Sequence, residues 1–121
     1  MNILIAEDDI IQRENLKKII QGIDKNFIIY EAEDKNEAFK ISCENTIDIF
    51  FIDIGLKNSS GLDLAMKIRK LDKYEFSWII FLTTHLQYII QAFKNVHCYD
   101  YILKPYDKEE IIDMGMIVLD L

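Results

Sequence analysis

Residues 47–53 read Ile-Asp-Ile-Phe-Phe-Ile-Asp, and the apolar run Ile49-Phe50-Phe51-Ile52 within this stretch decides the fold class. A continuous apolar run of this length, without polar alternation, is typical of a parallel strand buried on both faces. Strands of this kind lie in the middle of a sheet that helices cover on both sides. The stretch therefore predicts an α/β domain built on a parallel sheet.

The same pattern continues in both directions along the chain. Short apolar runs alternate with longer segments whose apolar residues recur at helical spacing. The runs that predict strands are 3–6, 27–30, 47–52, 79–82 and 99–103. Five strands alternating with five helices predict a doubly wound sheet.

Four short patterns resemble capping boxes, in which one side chain caps a helix and the residue three positions later reaches back. They are Asp9-x-x-Gln12, Asp34-x-x-Glu37, Thr84-x-x-Gln87 and Asp107-x-x-Glu110. Other polar residues at predicted strand ends have no such local role. These are Glu7, Asp8, Asp53, Thr83 and Lys104.

Composition excludes several classes of protein. The chain has 121 residues and a net charge of −7, which predicts one domain over 1–121 and argues against direct binding of nucleic acid. No apolar run is long enough to cross a bilayer. Cys43 and Cys98 form no metal-ligand pair or disulfide framework, and no signal peptide is evident, so we expect a cytoplasmic protein.

The unexplained polar residues predict a cation site. In an open parallel sheet, ligands bind beyond the carboxyl ends of the strands, where Glu7, Asp8 and Asp53 would converge. Carboxylates within about 5 Å of one another repel by roughly 3 kcal/mol per pair at an effective dielectric of about 20. Lys104 alone does not balance three of them, and oxygen ligands of this kind suit Mg²⁺ better than Zn²⁺.

A carboxylate beside Mg²⁺, a lysine and a hydroxyl are the parts of a phosphoryl-transfer site, with Asp53 as the nucleophile. Four stretches spread over the chain form a highly specific set. They are Ile3-Leu4-Ile5-Ala6-Glu7-Asp8-Asp9, Phe51-Ile52-Asp53-Ile54-Gly55-Leu56 followed by Gly61, Ile80-Phe81-Leu82-Thr83-Thr84, and Tyr101-Ile102-Leu103-Lys104-Pro105. With this set the whole chain resembles the receiver domain of two-component response regulators. The resemblance implies a flavodoxin-like fold with strand order 2-1-3-4-5.

The resemblance also implies a metal site that holds Mg²⁺. Asp53 matches the phosphoacceptor and Asp8 the direct metal ligand. Glu7 matches the acid that holds the metal through water, and Gly55 the residue whose carbonyl completes the shell.

Three further residues match the switch of this family. Thr83 matches the hydroxyl that binds the phosphoryl oxygen, Lys104 the lysine that pairs with it, and Tyr101 the aromatic rotamer switch. A cis peptide before Pro105 is common in the family. The implied partner is a sensor histidine kinase or a phosphotransfer protein that supplies the phosphoryl group.

The chain departs from the family pattern at three places. Glu7 stands where Asp is more frequent, and Thr84 replaces the usual Ala or Gly near the phosphoryl group. Lys57 stands where proline is frequent, and we expect the loop 57–60 to be mobile. Glu7 and the run 12–16 resemble receivers joined to LytTR-type DNA-binding domains, which implies transcription regulation by an output domain outside this chain.

Simpler interpretations remain beside these assignments. Lys104 as a surface lysine, Tyr101 as strand packing and Arg13 as a helix-face cation need no special function. His85 lies near the predicted pocket and either affects dephosphorylation or is a loop residue.

The last predicted helix is apolar nearly all round, which indicates a homodimer or interdomain surface, or residues that a missing segment covers. Its apolar residues are Ile111, Ile112, Met114, Met116, Ile117, Val118, Leu119 and Leu121.

Two other functions compete with the receiver. An aspartyl-phosphate phosphohydrolase would usually place a second aspartate two residues after the nucleophile, where this chain has Gly55. A phosphorylation-independent binding module would lack the acceptor or the lysine, and both residues are present.

Overall fold

The computed structural model describes residues 1–56, 59–84 and 86–120, with the side chains of Gln91 and 116–120 left out. Five parallel strands form one sheet in the order β2-β1-β3-β4-β5, as the resemblance implied. The strands are β1 (Asn2–Ala6), β2 (Ile28–Ala32), β3 (Ile49–Asp53), β4 (Trp78–Thr83) and β5 (Asp100–Leu103). The helices are α1 (Ile10–Ile23), α2 (Lys35–Glu44), α3 (Gly61–Arg69), α4 (Ile89–Asn95) and α5 (Lys108–Asp120).

The two faces of the sheet carry separate cores because successive strand residues point to opposite sides. Phe50 and Ile52 of β3 pack with residues of α2, α3 and α4. Ile49 and Phe51 pack on the other side with α1 and with Ile111 of α5. The apolar run of β3 is therefore buried on both faces, which confirms the prediction made from it.

Strand boundaries differ from the predicted runs by one or two residues at several ends. β3 starts at Ile49 rather than 47, and just before it the side chain of Asp48 accepts a hydrogen bond from the amide of Asn2. β2 starts at Ile28 and continues to Ala32, since it pairs with the full length of β1. As an edge strand it carries Glu31, which interrupts the apolar pattern.

Two of the four capping patterns are confirmed in the half in which the cap side chain accepts hydrogen bonds. Asp9 caps α1 by accepting from the amides of Ile11 and Gln12, and Asp34 caps α2 by accepting from the amide of Glu37. In the other half, the amide of Asp9 donates to Glu7 instead of Gln12, and Glu37 accepts from the amide of Glu33 instead of that of Asp34. At α5 the structure gives the reciprocal half of the box, in which Glu110 accepts from the amide of Asp107 at 3.4 Å. The cap of α3 is Ser60, which the sequence patterns did not identify.

The prediction that Thr84 caps the fourth helix is wrong. A 3-10 turn over Leu86–Tyr88 follows β4, and α4 begins only at Ile89 with no side-chain cap at Tyr88. This turn separates the end of β4 from the helix, so Thr84 is too far from the first amides of α4 to cap them.

Several expectations fall on residues outside the described part of the chain. They concern Lys57 and Asn58 of the predicted mobile loop, His85, and the apolar side chains after residue 115. Within the described residues, no helix combines the length and apolar character that a bilayer crossing requires.

At the amino edge of the sheet, Trp78 of β4 packs edge-on against Tyr99, with 4.5 Å between the ring centroids. Cys98 is buried, Cys43 is exposed, and both are free thiols.

Gly61 brings the start of α3 against the end of β3. Its amide donates to the carbonyl of Ile54 at 2.8 Å. A Cβ atom at this position would lie 2.1 Å from the carbonyl oxygen of Asp53. Only glycine allows this close approach, so α3 and the last residue of β3 are fixed to each other.

We expect Gly61→Ala to lower the free energy of unfolding by about 1–3 kcal/mol, because the added methyl group must displace the backbone at Asp53. Urea denaturation followed by circular dichroism measures the change. Gly22→Ala is the matched control, because nothing lies within 4 Å of its added Cβ. In helix α1 that substitution should raise the stability by roughly 0.5–1 kcal/mol. A Gly61→Ala variant as stable as the wild type would contradict the close packing.

Candidate functional site

The predicted polar residues meet at the carboxyl edge of the sheet. Glu7 and Asp8 follow β1, Asp53 ends β3, Thr83 ends β4 and Lys104 follows β5. These strands lie side by side in the order β1-β3-β4-β5, so residues far apart in sequence share one edge. The arrangement follows from parallel topology, which directs all carboxyl ends the same way.

Lys104 is the centre of the hydrogen-bond network. Its Nζ donates to Glu7 Oε1 at 2.5 Å and to Asp53 Oδ2 at 2.7 Å. The side chains of Lys104, Glu7 and Asp53 are only 11%, 2% and 12% exposed. The interpretation of Lys104 as a solvated surface lysine is therefore wrong.

The backbone around Lys104 is also fixed. Its amide donates to the carbonyl of Thr83 at 2.7 Å, which continues the pairing of β5 with β4. The bond between Lys104 and Pro105 is cis, in agreement with the family resemblance.

Three carboxylates converge as predicted. One oxygen each from Glu7, Asp8 and Asp53 lies within 4.8 Å of the other two. Asp8 is more exposed than its two neighbours, which are buried. This is a set of hard oxygen donors open to solvent on one side, and such a set fits Mg²⁺.

Both oxygens of Asp53 have donors. Oδ2 accepts from Lys104, and Oδ1 accepts from the amide of Gly55 at 2.9 Å. The carboxylate is thus held in one orientation at the end of β3. Gly55 is in place beside it, and the role of its carbonyl as a metal ligand stays a prediction.

Burial perturbs the two ionisable partners of Asp53. Desolvation, followed by the hydrogen bond with Asp53, raises the pKa of Glu7 to about 8. For Lys104, desolvation opposes the charged form, but hydrogen bonds to Asp53 and Glu7 outweigh it and raise the pKa. Without a bound cation, the cluster therefore keeps Lys104 charged and favours the protonated form of Glu7.

A cavity of about 410 Å³ opens over Asp53. Its lining combines acid, hydroxyl and ammonium groups. The lining residues are Asp53, Ile54, Gly55, Ser59, Ser60, Thr83, Thr84, Tyr88 and Lys104. Thr83 is buried at its base and Thr84 is exposed, as expected for neighbours at a strand end.

Tyr88 and Arg13 are among the residues near the site that were not predicted to belong to it. Tyr88 lies on the cavity wall because the 3-10 turn over 86–88 directs it there. Arg13 donates from Nη1 to the carbonyl of Glu7 at 2.8 Å, so it is more than a helix-face cation. The position of Arg13, one turn into a helix that begins beside the acidic pair, was the available signal.

Tyr101 lies on β5, which β4 separates from the strand of Asp53. It is half-buried on β5 and packs edge-on against Phe93 of α4, with 6.2 Å between ring centroids. The contact joins β5 to α4 on the side of the sheet that also carries α3.

Comparison with known proteins gives consistent matches. The response regulator receiver domain family matches residues 3–115. Over 111 residues, the chain is 39% identical to the sensory transduction protein LytR of Staphylococcus epidermidis, covering 92% of this chain and 43% of that protein. It is 37% identical to the transcriptional regulatory protein LytR of Staphylococcus aureus, covering 92% and 44%. The chain thus spans less than half the length of these relatives.

Solved structures match the fold over nearly the whole chain. The response regulatory domain of protein mrkE from Klebsiella pneumoniae superposes with a TM-score of 0.88 at 27% identity, covering 99% of this chain and 96% of that one. The chemotaxis protein CheY4 of Vibrio cholerae superposes with a TM-score of 0.87 at 23% identity, covering 97% of each chain.

The raised pKa of Glu7 predicts a pH-dependent stability for the metal-free protein. The folded state binds this proton more tightly than the unfolded state, in which the pKa is near 4.5. Its contribution to the free energy of unfolding is therefore full below pH 4.5 and is lost as the pH rises towards about 8. Glu7→Gln has no carboxyl group to titrate here, so its free energy of unfolding does not fall in this way. The variant should therefore gain stability relative to the wild type as the pH rises through this window.

Urea denaturation in the presence of a chelator, at intervals across that pH range, measures the difference. Glu14→Gln is the control, because it removes an exposed carboxylate from α1. A difference between Glu7→Gln and the wild type that stays constant with pH would contradict the assigned shift.

Proposed function

We infer the function from one premise: the chain belongs to the response regulator receiver domain family, which matches residues 3–115. The recognition from sequence motifs is confirmed, and the relatives are LytR and LytT regulators. The chain is a receiver domain of two-component regulators, which is a signalling module and not a classical enzyme.

We propose that Asp53 accepts a phosphoryl group from a phosphohistidine of a sensor histidine kinase or a phosphotransfer protein. The observation that carries this proposal is the placement of Asp53 between Lys104, 2.7 Å away, and the acids Glu7 and Asp8. A carboxylate oxygen of Asp53 attacks phosphorus as the bond from phosphorus to the imidazole nitrogen breaks. The phosphohistidine carries a proton on its other ring nitrogen, so the products are an aspartyl phosphate and a neutral histidine.

The donor set supports a role for Mg²⁺ in this step. Asp8 and Asp53 would hold the ion directly, Glu7 through water, and Gly55 through its carbonyl, as the resemblance implies. When bound, the ion neutralises charge on the transferring phosphoryl oxygens. The close approach of the three carboxylate oxygens, within 4.8 Å, is the geometric support for this set.

Lys104 and Thr83 have distinct roles in the proposal. The ammonium group of Lys104 already contacts Asp53 and would follow its oxygen into an ion pair with the phosphoryl group. Thr83 lines the same cavity and would donate its hydroxyl to a phosphoryl oxygen. Both contacts replace hydration of the new dianion with fixed protein donors.

The switch would run from Thr83 to Tyr101. Movement of Thr83 towards the phosphoryl group would free space for Tyr101, whose ring packs against Phe93 of α4. A change at this contact alters the surface formed by α4, β5 and α5, and so changes partner affinity.

We propose that the output domain of the regulator is not part of residues 1–121. Its relatives include a transcriptional regulatory protein more than twice its matched length. We propose that residues 1–121 form one receiver domain that does not bind nucleic acid itself, and that regulates transcription through a LytTR-type output domain. Its apolar last helix would contribute to a homodimer or interdomain surface.

Incubation with acetyl phosphate and Mg²⁺ should add about 80 Da to the wild type and nothing to Asp53→Asn, because the amide lacks a nucleophilic oxygen. Intact-mass spectrometry measures the adduct. Asp63→Asn is the matched control, since it removes an exposed aspartate from α3 and should still gain the mass. An adduct on Asp53→Asn equal to that of the wild type would overturn the assignment of the acceptor.

Tyr101→Ala should separate phosphorylation from the switch. The variant keeps the acids and Lys104, so the mass gain with acetyl phosphate should remain. It loses the ring contact with Phe93, so amide chemical shifts of α4 should change much less on phosphorylation than in the wild type. Changes in α4 as large as those of the wild type would exclude the role of Tyr101.

A further inference from the structure

Arg13 is a largely buried cation beside the acidic pair. Its side chain is 15% exposed and lies on α1, where the sequence alone indicates only a charged helix face. A buried guanidinium requires partners to offset its lost hydration. One partner follows strand β1 and the other lies on strand β2.

The first partner is the peptide that joins Glu7 to Asp8. Nη1 of Arg13 donates to the carbonyl oxygen of Glu7 at 2.8 Å. The amide of Glu7 donates in turn to the carbonyl of Ala32 on β2 at 3.0 Å. The backbone of Glu7 is therefore held from both sides, at the point where β1 ends and the acids begin.

The second partner anchors the guanidinium itself. Nε of Arg13 lies 3.4 Å from Oε1 of Glu31, which makes an ion pair without a directed hydrogen bond. The other oxygen of Glu31 pairs with Nζ of Lys17 at 3.0 Å. Glu31 thus links two cations of α1 to the edge strand, and only Arg13 of the two has a described bond to Glu7.

We propose that Arg13 is a positioning residue for the metal-binding acids, a role that rests on the function proposed above. By fixing the plane of the peptide between Glu7 and Asp8, it sets the direction in which the carboxylate of Asp8 leaves the backbone. Glu31 holds the guanidinium in place from β2. The ligand concerned is a hard divalent cation, Mg²⁺.

The positive charge of Arg13 and its positioning role have opposite effects on the affinity for Mg²⁺. A nearby positive charge repels a divalent cation, so removal of that charge alone would strengthen Mg²⁺ binding. Loss of positioning would weaken binding, and partners that orient metal ligands typically contribute about 10- to 100-fold in affinity. The sign of the change in affinity therefore distinguishes a positioning residue from a merely electrostatic one.

The experiment compares Arg13→Met with Lys17→Met in isothermal titration of the whole chain with Mg²⁺. Both substitutions remove one positive charge from α1 and one partner of Glu31, but only the first removes the bond to Glu7. Arg13→Met should raise the dissociation constant about tenfold. Lys17→Met should change it by less than about twofold, since the lost charge is screened by solvent and salt.

Two further variants keep the test decisive if Arg13→Met folds poorly by circular dichroism. Arg13→Lys retains the charge but not the geometry of the guanidinium, and Glu31→Gln weakens its anchor. Arg13→Lys should weaken Mg²⁺ binding by less than Arg13→Met, and because it conserves the charge, only a loss of positioning accounts for that change. Glu31→Gln should also weaken binding, but it removes a negative charge as well, so it supports the positioning role only together with Arg13→Lys. At saturating Mg²⁺, the rate of phosphorylation by acetyl phosphate should return to nearly the wild-type value in each variant.

Equal or tighter Mg²⁺ binding by Arg13→Met, or by both Arg13→Lys and Glu31→Gln, would overturn the positioning role. A wild-type chain that binds no Mg²⁺ and gains no phosphoryl group would instead overturn the proposed function. The two failures are thereby distinguished.

Discussion

A single ammonium group holds the carboxyl edge of this sheet together. Lys104 contacts Glu7 and Asp53, which belong to the ends of two other strands, and all three side chains are nearly excluded from solvent. Removing one member of such a group leaves an uncompensated buried charge, which strongly destabilises a folded protein. The position of β5 relative to β1 and β3 is therefore a condition for the acids to be buried side by side.

The same constraint orients the carboxylate of Asp53 and perturbs the pKa of Glu7. Lys104 and the amide of Gly55 hold the two oxygens of Asp53, so the carboxylate presents one orientation to the cavity. Glu7 has a raised pKa while no cation is bound, so a cation that occupies the cluster must displace either a proton or the lysine contact. In the proposed function, binding of metal, protons and phosphoryl group would thus be coupled within one small group of side chains.

Much of this arrangement is predictable from the sequence, and the reasons are physical. The buried run in β3 and the polar residues at strand ends follow from parallel topology, which fixes where Asp53 and Lys104 meet. Thr84 failed as a predicted cap because a 3-10 turn stands between strand and helix, and local spacing does not distinguish that turn from a first helical turn. Tyr88 was missed as a site residue because its position depends on tertiary packing, which no short pattern contains, whereas for Arg13 its place one turn into α1 was an available signal. The roles of individual site residues in phosphoryl transfer remain predictions.

The edge-on contact of Trp78 with Tyr99 has a practical consequence for spectroscopy. Trp78 is the sole tryptophan of the chain and begins the strand that Thr83 ends. Five residues of extended chain separate them by roughly 16 Å. Tryptophan fluorescence therefore reports on the opposite edge of the sheet and is nearly insensitive to occupancy of the acidic cluster, so a tryptophan introduced close to the cluster would be the more informative fluorophore.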